Sequence, residues 1–458
     1  MKRRQKITIA AVSLVSVTVI LTMCFTQLLH KKTEHHHQPP AQCPQNVNQK
    51  YVSGVYYSDW SPYEPRMHFP KNIDTSKITH IYYSFFLVDA DSSALKLGDS
   101  WSDIEMPMGK NTVLKGCIGA LNSLRDEKPG FKNIMAVGGW SNKDAFPLAL
   151  RKKHGVEKLA QSCVETMFQY GFDGIDLDWE YPKDDGKEPR IYLELMRKIR
   201  QHMNELEIAI WGDKKRRFHL SVATPAFYDK LETFPIKEMD QYIDYWNMMT
   251  YDYYGEWSSG TGFHSNLYDG TNKFSEHSLC ADGAIRYMTN KIGINSRKVV
   301  LGMALYGRGF TNVKEGDPKK TSGLINRKFK GVGGESEGEP GMWLYNQLPI
   351  RGTQEVFDEQ YGSAYCFDPK TKTLVGYDNV DSTRQKAQYV RFHNLAGGFW
   401  WESCGNKWDN VQQSLVHVFN EDIERLDRNE TNLYQDPKLR EHYLQIFAKS
   451  GFLAATFK

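Results

Sequence analysis

Residues 172–182 read FDGIDLDWEYP and hold four carboxylates, Asp173, Asp176, Asp178 and Glu180, within eight residues of otherwise apolar sequence. Ile175, Leu177 and Trp179 alternate with Asp176, Asp178 and Glu180. Successive side chains of a strand point to opposite faces, so the alternation predicts a strand with one apolar face and one acidic face leading to Glu180. Asp173 is out of phase by one and belongs near the strand's start. An ordinary half-exposed strand mixes Lys, Thr and Ser with its acids, because like charges stacked on one face repel. An unrelieved row of carboxylates closed by Trp, Glu, Tyr and Pro makes sense where that repulsion holds a proton on one member, as acid–base chemistry requires.

On either side of this stretch, short apolar runs recur at 51–57, 78–88, 133–139, 218–223, 245–251, 298–306 and 396–402. Between several of them lie amphipathic segments, such as 156–170 and 190–206, with apolar residues at three- and four-residue spacing. With 172–181 included, strand and helix alternate eight times, which predicts an α/β chain folded as a (β/α)8 TIM barrel over 51–310 and 378–419. Catalytic groups in that architecture sit at the C-terminal ends of strands, where Glu180 falls on the fourth. The gap between the seventh and eighth strands is too long for one helix. Residues 311–377 are rich in Gly, Lys and Glu, contain the β-like pieces SAYCFD and TLVGYD, and carry Trp343, Tyr345, Tyr361, Tyr365 and Phe367. So many aromatics predict a small packed α+β domain inserted into the barrel as one wall of the cleft, not a disordered loop. A helical pattern at 408–419 is assigned to the last barrel helix. Residues 420–458 form a polar extension with a helical stretch at 437–448 and a glycosylation sequon at Asn429.

The chain has 458 residues, and 58 Lys plus Arg against 55 Asp plus Glu give a net charge of +3. That balance offers nothing to nucleic acid or to a strongly anionic substrate. The 11 Trp, 25 Tyr and 23 Phe make a high aromatic content, and although aromatic faces are the usual platform for sugar rings, core packing accounts for most such residues in any protein. The cysteines stand at 24, 43, 117, 163, 280, 366 and 404, none with the spacing of a zinc or redox motif. Cys24 lies in an apolar segment, which leaves six that an oxidising compartment could pair in ways the spacing does not choose.

Residues 1–6 are basic, and 7–29 form an apolar run interrupted only by Ser, Thr and Gln27. A helix of ~20 apolar residues spans a bilayer, and a basic flank stays in the cytoplasm. The expectation is therefore an uncleaved signal anchor of a single-pass type II membrane protein, with the rest of the chain extracellular or lumenal. The alternative is a signal peptide cleaved on secretion, but no convincing small-x-small site follows Leu21. Residues 30–50 are polar and Pro-rich and read as a linker, and His35, His36 and His37 are assigned to it because no second ligand cluster accompanies them.

The run D-G-x-D-x-D-W-E over 173–180 resembles the signature of glycoside hydrolase family 18, the chitinases and their relatives. The similarity extends from about Tyr51 to Trp408 and recurs at other strand ends: VYYSDW at 55–60, YYSFF at 82–86, MMTYD at 248–252, LYGRGF at 305–310 and GGFWWE at 397–402. AVGGW at 136–140 is similar to the third strand's S-x-G-G motif, with Ala136 where Ser is usual. Residues 404–407 read CGNK where SGDK is more usual, the C-terminal tail is longer than typical, and no separate chitin-binding module is visible.

The resemblance implies a retaining mechanism in which Glu180 is acid and then base. Most retaining glycosidases place a second carboxylate as nucleophile, and this family instead uses the substrate's own 2-acetamido oxygen. Asp178 then holds the acetamido N–H, Asp176 shares a proton behind it, and Tyr251 donates to the acetamido oxygen. Trp401, or alternatively Trp400, floors the −1 sugar, Asp252 contacts the acetamido group, and Arg308 reaches a neighbouring sugar. Tyr56, Phe85, Trp140, Met249 and Tyr306 complete the implied sugar-binding set. The implied partner is chitin or N-acetylglucosamine oligomers, bound by a monomer without metal or organic cofactor. Two other activities share the chemistry: an endo-β-N-acetylglucosaminidase acting on N-glycan cores, and a chitin-binding lectin. The lectin arises when the terminal acid is lost, and here Glu180 is present.

Overall fold

A computed structural model of the chain describes residues 49–108, 115–212, 217–271, 275, 277–314, 323–334 and 339–428. Its centre is a closed ring of parallel strands: β1 (Val52–Ser58), β2 (His80–Asp89), β3 (Lys132–Gly138), β4 (Gly174–Asp178), β5 (His219–Pro225), β6 (Tyr245–Met249), β7 (Val299–Ala304) and β8 (Gly397–Trp401). Each strand pairs with its neighbours in sequence order, and β1 closes the ring by pairing with both β2 and β8. A short strand, Ala94–Lys96, folds back antiparallel on β2.

The alternation in β4 sorts its side chains as the pleat demands. Ile175, Leu177 and Trp179 join the core that packs against the surrounding helices, while Asp176 and Asp178 are buried on the opposite face. Trp179 stacks on Phe146 with ring centres 5.1 Å apart and meets the edge of Tyr192 at 5.3 Å. Behind β4 pack two amphipathic helices, Gly155–Gln169 and Glu188–Trp211. Glu188 and Pro189 start the second, where an acid favours the helix dipole and Pro lacks only an N–H that has no partner in the helix. At the foot of the strand, Asp173 pairs with Arg125, both side chains fully buried.

LYGRGF, which reads as one run continuing the seventh strand, divides at Leu305. β7 stops at Ala304, and Tyr306–Phe310 becomes the second strand of an antiparallel sheet. That sheet runs Met342–Leu344, Tyr306–Phe310, Thr373–Tyr377, Ser363–Asp368 and Glu355–Asp358 in spatial order, so Tyr306 and Arg308 belong to it and not to the barrel strand. The helix expected from 408 starts at Leu415, where the Ser414 side chain accepts the His417 N–H and caps it. After this helix the chain returns under the barrel: the Tyr51 N–H donates to the Arg425 carbonyl at 2.9 Å and the Asp427 N–H to the Tyr51 carbonyl at 2.8 Å.

Cys117, Cys163, Cys280 and Cys366 are buried free thiols and Cys404 is buried as well, so the expected disulfide pairing does not appear among the described residues. Each fills a place in the packed interior, where a thiol behaves as a small apolar group. Cys24, Cys43, the apolar run 7–29 and the sequon at Asn429 lie outside the described residues. Among those described, no helix is long and apolar enough to cross a membrane.

Candidate active site

The register of the ring decides what surrounds the acids. Asp176 lies opposite Ala136 of β3 on one side and Ser221 of β5 on the other. Ala136 offers no hydrogen bond, and the carboxylate draws its donors from elsewhere. Ser221 Oγ donates to Oδ1 at 2.5 Å, Asn247 Nδ2 to the same oxygen at 3.0 Å, and the Tyr56 hydroxyl to Oδ2 at 2.6 Å. Burial pushes Asp176 up to about 6, with those three donors pulling the other way.

Two residues along the strand, Asp178 has no such support. Its Oδ1 is buried and finds no protein hydrogen-bond partner. Burial, then the charges of Glu180 and Asp176, raise it well above the usual carboxylate range. Glu180 stands just past the end of β4 and is raised to about 7 by burial and by the charge of Asp252, against the pull of Lys143, the Trp140 N–H and Tyr181. Three carboxyl groups in succession thus hold protons at pH values where free carboxylates have lost them, which is the condition for a carboxyl that must donate.

Asp252 is the contrasting case. Burial alone favours its neutral form, but the charge and hydrogen bonds of Arg308, with those of His264, hold it well below the usual range. Arg308 grips it bidentately, Nε to Oδ1 and Nη2 to Oδ2, each at 2.9 Å, and the Tyr306 hydroxyl donates to Oδ1 at 2.6 Å. Arg308 also pairs with Glu339 and lies 5.0 Å over the exposed ring of Trp257.

Aromatic rings line the ends of β1, β2 and β8. Trp401 lies 5.8 Å from Phe85 at an interplanar angle of 24°, 5.4 Å from Tyr56 and 6.3 Å from Trp60. Tyr56 stacks on Tyr82 at 4.7 Å. Trp400, one residue earlier, points the other way, fully buried against Phe419 of the last helix. Tyr251 and Met249 are buried with the barrel-interior cluster, and burial with the charges of Asp178 and Glu180 keeps the Tyr251 phenol protonated. Trp140 is 60% exposed, with Lys143 Nζ 3.1 Å from its ring centre.

A family model described as Glycosyl hydrolases family 18 matches residues 52–406. The chain belongs to that family. Among curated relatives, it is 42% identical over 492 residues to sporulation-specific chitinase 2 of Saccharomyces cerevisiae, an alignment covering 97% of this chain and 94% of the relative. It is 31% identical to endochitinase 1 of Metarhizium robertsii, covering 80% of this chain and 85% of the relative. Of solved structures, the catalytic domain of psychrophilic chitinase B from Arthrobacter TAD20 superposes with a TM-score of 0.71, 24% identity, and coverage of 83% and 97%. At that identity the superposition speaks for the barrel alone, and family membership makes the chain a glycoside hydrolase.

Within this family 18 fold, the structure collects Asp176, Asp178, Glu180, Tyr251 and Asp252 around one cleft, with Tyr306 and Arg308 reaching in from the antiparallel sheet. Sequence reading passed over Ser221, Asn247, Lys143, His264 and Glu339. It also passed over Arg66, which pairs with Glu402 directly after Trp401 and lies 5.9 Å over the Trp60 ring. A polar Asn in the apolar run YWNMM, at a position whose pleat faces the barrel axis, was the one signal that could have flagged a member of this group.

Proposed function

We propose that the chain hydrolyses β-1,4-linked N-acetylglucosamine polymers with retention of configuration, using the substrate's acetamido group as nucleophile. The observation that carries this reading is the lone Asp178 Oδ1, buried and without a protein donor between Asp176 and Glu180. A buried oxygen left unpaired costs free energy unless something arrives to donate to it. An acetamido N–H of a sugar bound over Trp401 is such a donor, and accepting it turns the acetamido oxygen toward the anomeric carbon.

In this reading Glu180 gives its proton to the glycosidic oxygen as that bond breaks. The acetamido oxygen forms the new bond to the anomeric carbon, giving an oxazolinium ion whose positive charge Asp178 faces. Asp176 takes up or returns the proton that Asp178 relinquishes. The Tyr251 hydroxyl donates to the acetamido oxygen and holds it in line. Water then attacks the anomeric carbon as Glu180 removes its proton, which reopens the ring and restores the acid. Trp401 supplies the apolar floor for the sugar, and the named chitinase relatives support the choice of polymer.

Product analysis on N-acetylglucosamine oligomers and a high-mannose glycan, side by side, tests the substrate. Release of short oligomers with the glycan left whole is expected, and the reverse overturns the reading in favour of an endo-β-N-acetylglucosaminidase. A thiazoline analogue of the cyclic intermediate should inhibit, and trapping a covalent sugar on any Asp or Glu overturns the substrate-assisted step. We further propose that residues 7–29 anchor the protein to a membrane, so the full chain should stay with membranes through a carbonate wash. A soluble form starting near residue 30 overturns that.

A further inference from the structure

One buried imidazole at the cleft has no part in the reaction as described. His264 lies on the segment that follows β6 and is fully buried. Its Nε2 is 3.0 Å from the Tyr306 carbonyl oxygen, and its ring centre lies 4.8 Å from that of Tyr306. A carbonyl only accepts, so Nε2 carries the hydrogen of that bond. The other ring nitrogen, Nδ1, makes no hydrogen bond at normal length and lies 3.5 Å from Asp252 Oδ1. That oxygen already accepts from the Tyr306 hydroxyl and Arg308 Nε. One carboxylate is therefore enclosed by Arg308, Tyr306 and His264, and its charge is the largest charge effect acting on Glu180.

We propose that His264 is a positioning residue, an imidazolium whose Nε2–H holds the Tyr306 carbonyl and whose Nδ1–H faces Asp252, fixing that carboxylate against Arg308 and Tyr306 and so setting the electrostatic field in which Glu180 works. It acts through Asp252 and touches no substrate atom. The groups facing Glu180 are Asp178, Asp252, Tyr251, Tyr181 and Lys143, together with the Trp140 N–H. Those facing Asp252 are Arg308, Tyr306 and His264, with Glu339 behind Arg308. Loss of His264 leaves the bidentate grip of Arg308 in place while removing the group 3.5 Å from Asp252 Oδ1. With less of the Asp252 charge neutralised, Glu180 holds its proton to higher pH.

The inference rests on Glu180 as the acid and base, and the experiment separates the two. His264→Gln keeps an amide N–H where Nε2 meets the Tyr306 carbonyl and leaves nothing at Nδ1, whereas His264→Asn places an amide at Nδ1 and gives up the Tyr306 bond. The pH dependence of kcat/KM on N-acetylglucosamine oligomers is measured for the full-length protein and both variants, with thermal melts to confirm folding and Glu180→Gln alongside. The expected result is an alkaline limb moved up by on the order of half a pH unit in His264→Gln and by less in His264→Asn, whose amide still donates to Asp252 but carries no charge. Limbs that coincide in all three proteins, an equal shift in both variants, or a downward shift in His264→Gln overturns the inference. If neither variant folds, selectively 15N-labelled histidine in the wild-type protein decides: a proton on His264 Nδ1 supports it and a bare lone pair overturns it. Surviving turnover in Glu180→Gln instead overturns the underlying assignment.

Discussion

The Tyr56 hydroxyl donates to Asp176 Oδ2 at 2.6 Å across the barrel interior, so the first strand holds the innermost acid of the fourth. This bond favours the charged form of Asp176 and opposes the burial that raises it to about 6. Tyr56→Phe keeps the ring and its stack on Tyr82 while removing that donor. Asp176 then retains its proton to higher pH and cannot take the one Asp178 gives up. Turnover should fall roughly tenfold, equivalent to ~1.4 kcal/mol, and the stability loss should be about 1 kcal/mol. Steady-state kinetics and urea unfolding read the two effects separately.

Glu180 donates only when protonated, so activity should decline as pH rises through about 7, the value to which burial and Asp252 raise it. Asp252→Asn removes the charge that opposes ionisation of Glu180. The alkaline limb of the kcat/KM profile should therefore move to lower pH, opposite to the shift expected for His264→Gln. An unmoved limb would show that Asp252 does not bear on the acid. Glu180→Gln should cost on the order of 10²–10⁴ in rate with the melting temperature unchanged.

His80 and His219 face each other inside the barrel near its base, ring centres 5.2 Å apart, and burial lowers both well below the usual histidine value. The folded chain keeps them neutral while the unfolded chain protonates them below about 6.5. Their contribution to stability is therefore fully present above that pH and is lost as pH falls below it. Asp59 and Asp103, raised by burial to about 8 and about 7, work in the opposite sense, because the unfolded chain releases their protons first. A comparison isolates the histidine effect. His219→Met should make the acid-side loss of unfolding free energy shallower than in wild type, by up to about 1.4 kcal/mol per pH unit below about 6.5.

The Arg125–Asp173 pair under β4 is fully buried on both sides. Arg125→Ala leaves the buried carboxylate without its guanidinium partner and should destabilise by ~3–5 kcal/mol, measured by denaturant unfolding. Arg125→Met combined with Asp173→Leu should recover most of that loss, because it removes the stranded charge along with its partner.

The buried free thiols of Cys117, Cys163, Cys280 and Cys366 predict that a reducing agent leaves the melting temperature unchanged. They should resist a thiol reagent in the native protein and react once it is unfolded. A drop in melting temperature on reduction would mean that a disulfide supports the fold.

Sequence period was enough to place β4 and its acids, because two-residue alternation maps directly onto the two faces of a strand. The partners of those acids were not legible. Ser221 and Asn247 reach Asp176 only because the ring brings β5 and β6 to its oxygens, and the polar Asn247 in an apolar run is the sole local hint of it. The division at Leu305 was hidden for a related reason: YGRGF is as extended as the strand before it, and pairing with Thr373–Tyr377, some 65 residues on, decides where it belongs. The disulfide expectation finds no pair among the described residues, because a cysteine count carries no information about burial. Trp401 and Trp400 are adjacent and chemically alike, and only the pleat of β8 gives one to the cleft and the other to Phe419.

The bridge between Tyr51 and Leu426 brings the start and the finish of the folded body to neighbouring points on the floor of the barrel, at the opposite pole from Glu180. Loss of either partner of that bridge would loosen one and the same corner of the floor, a strand's length from the rim where Trp140 and Trp257 stand out.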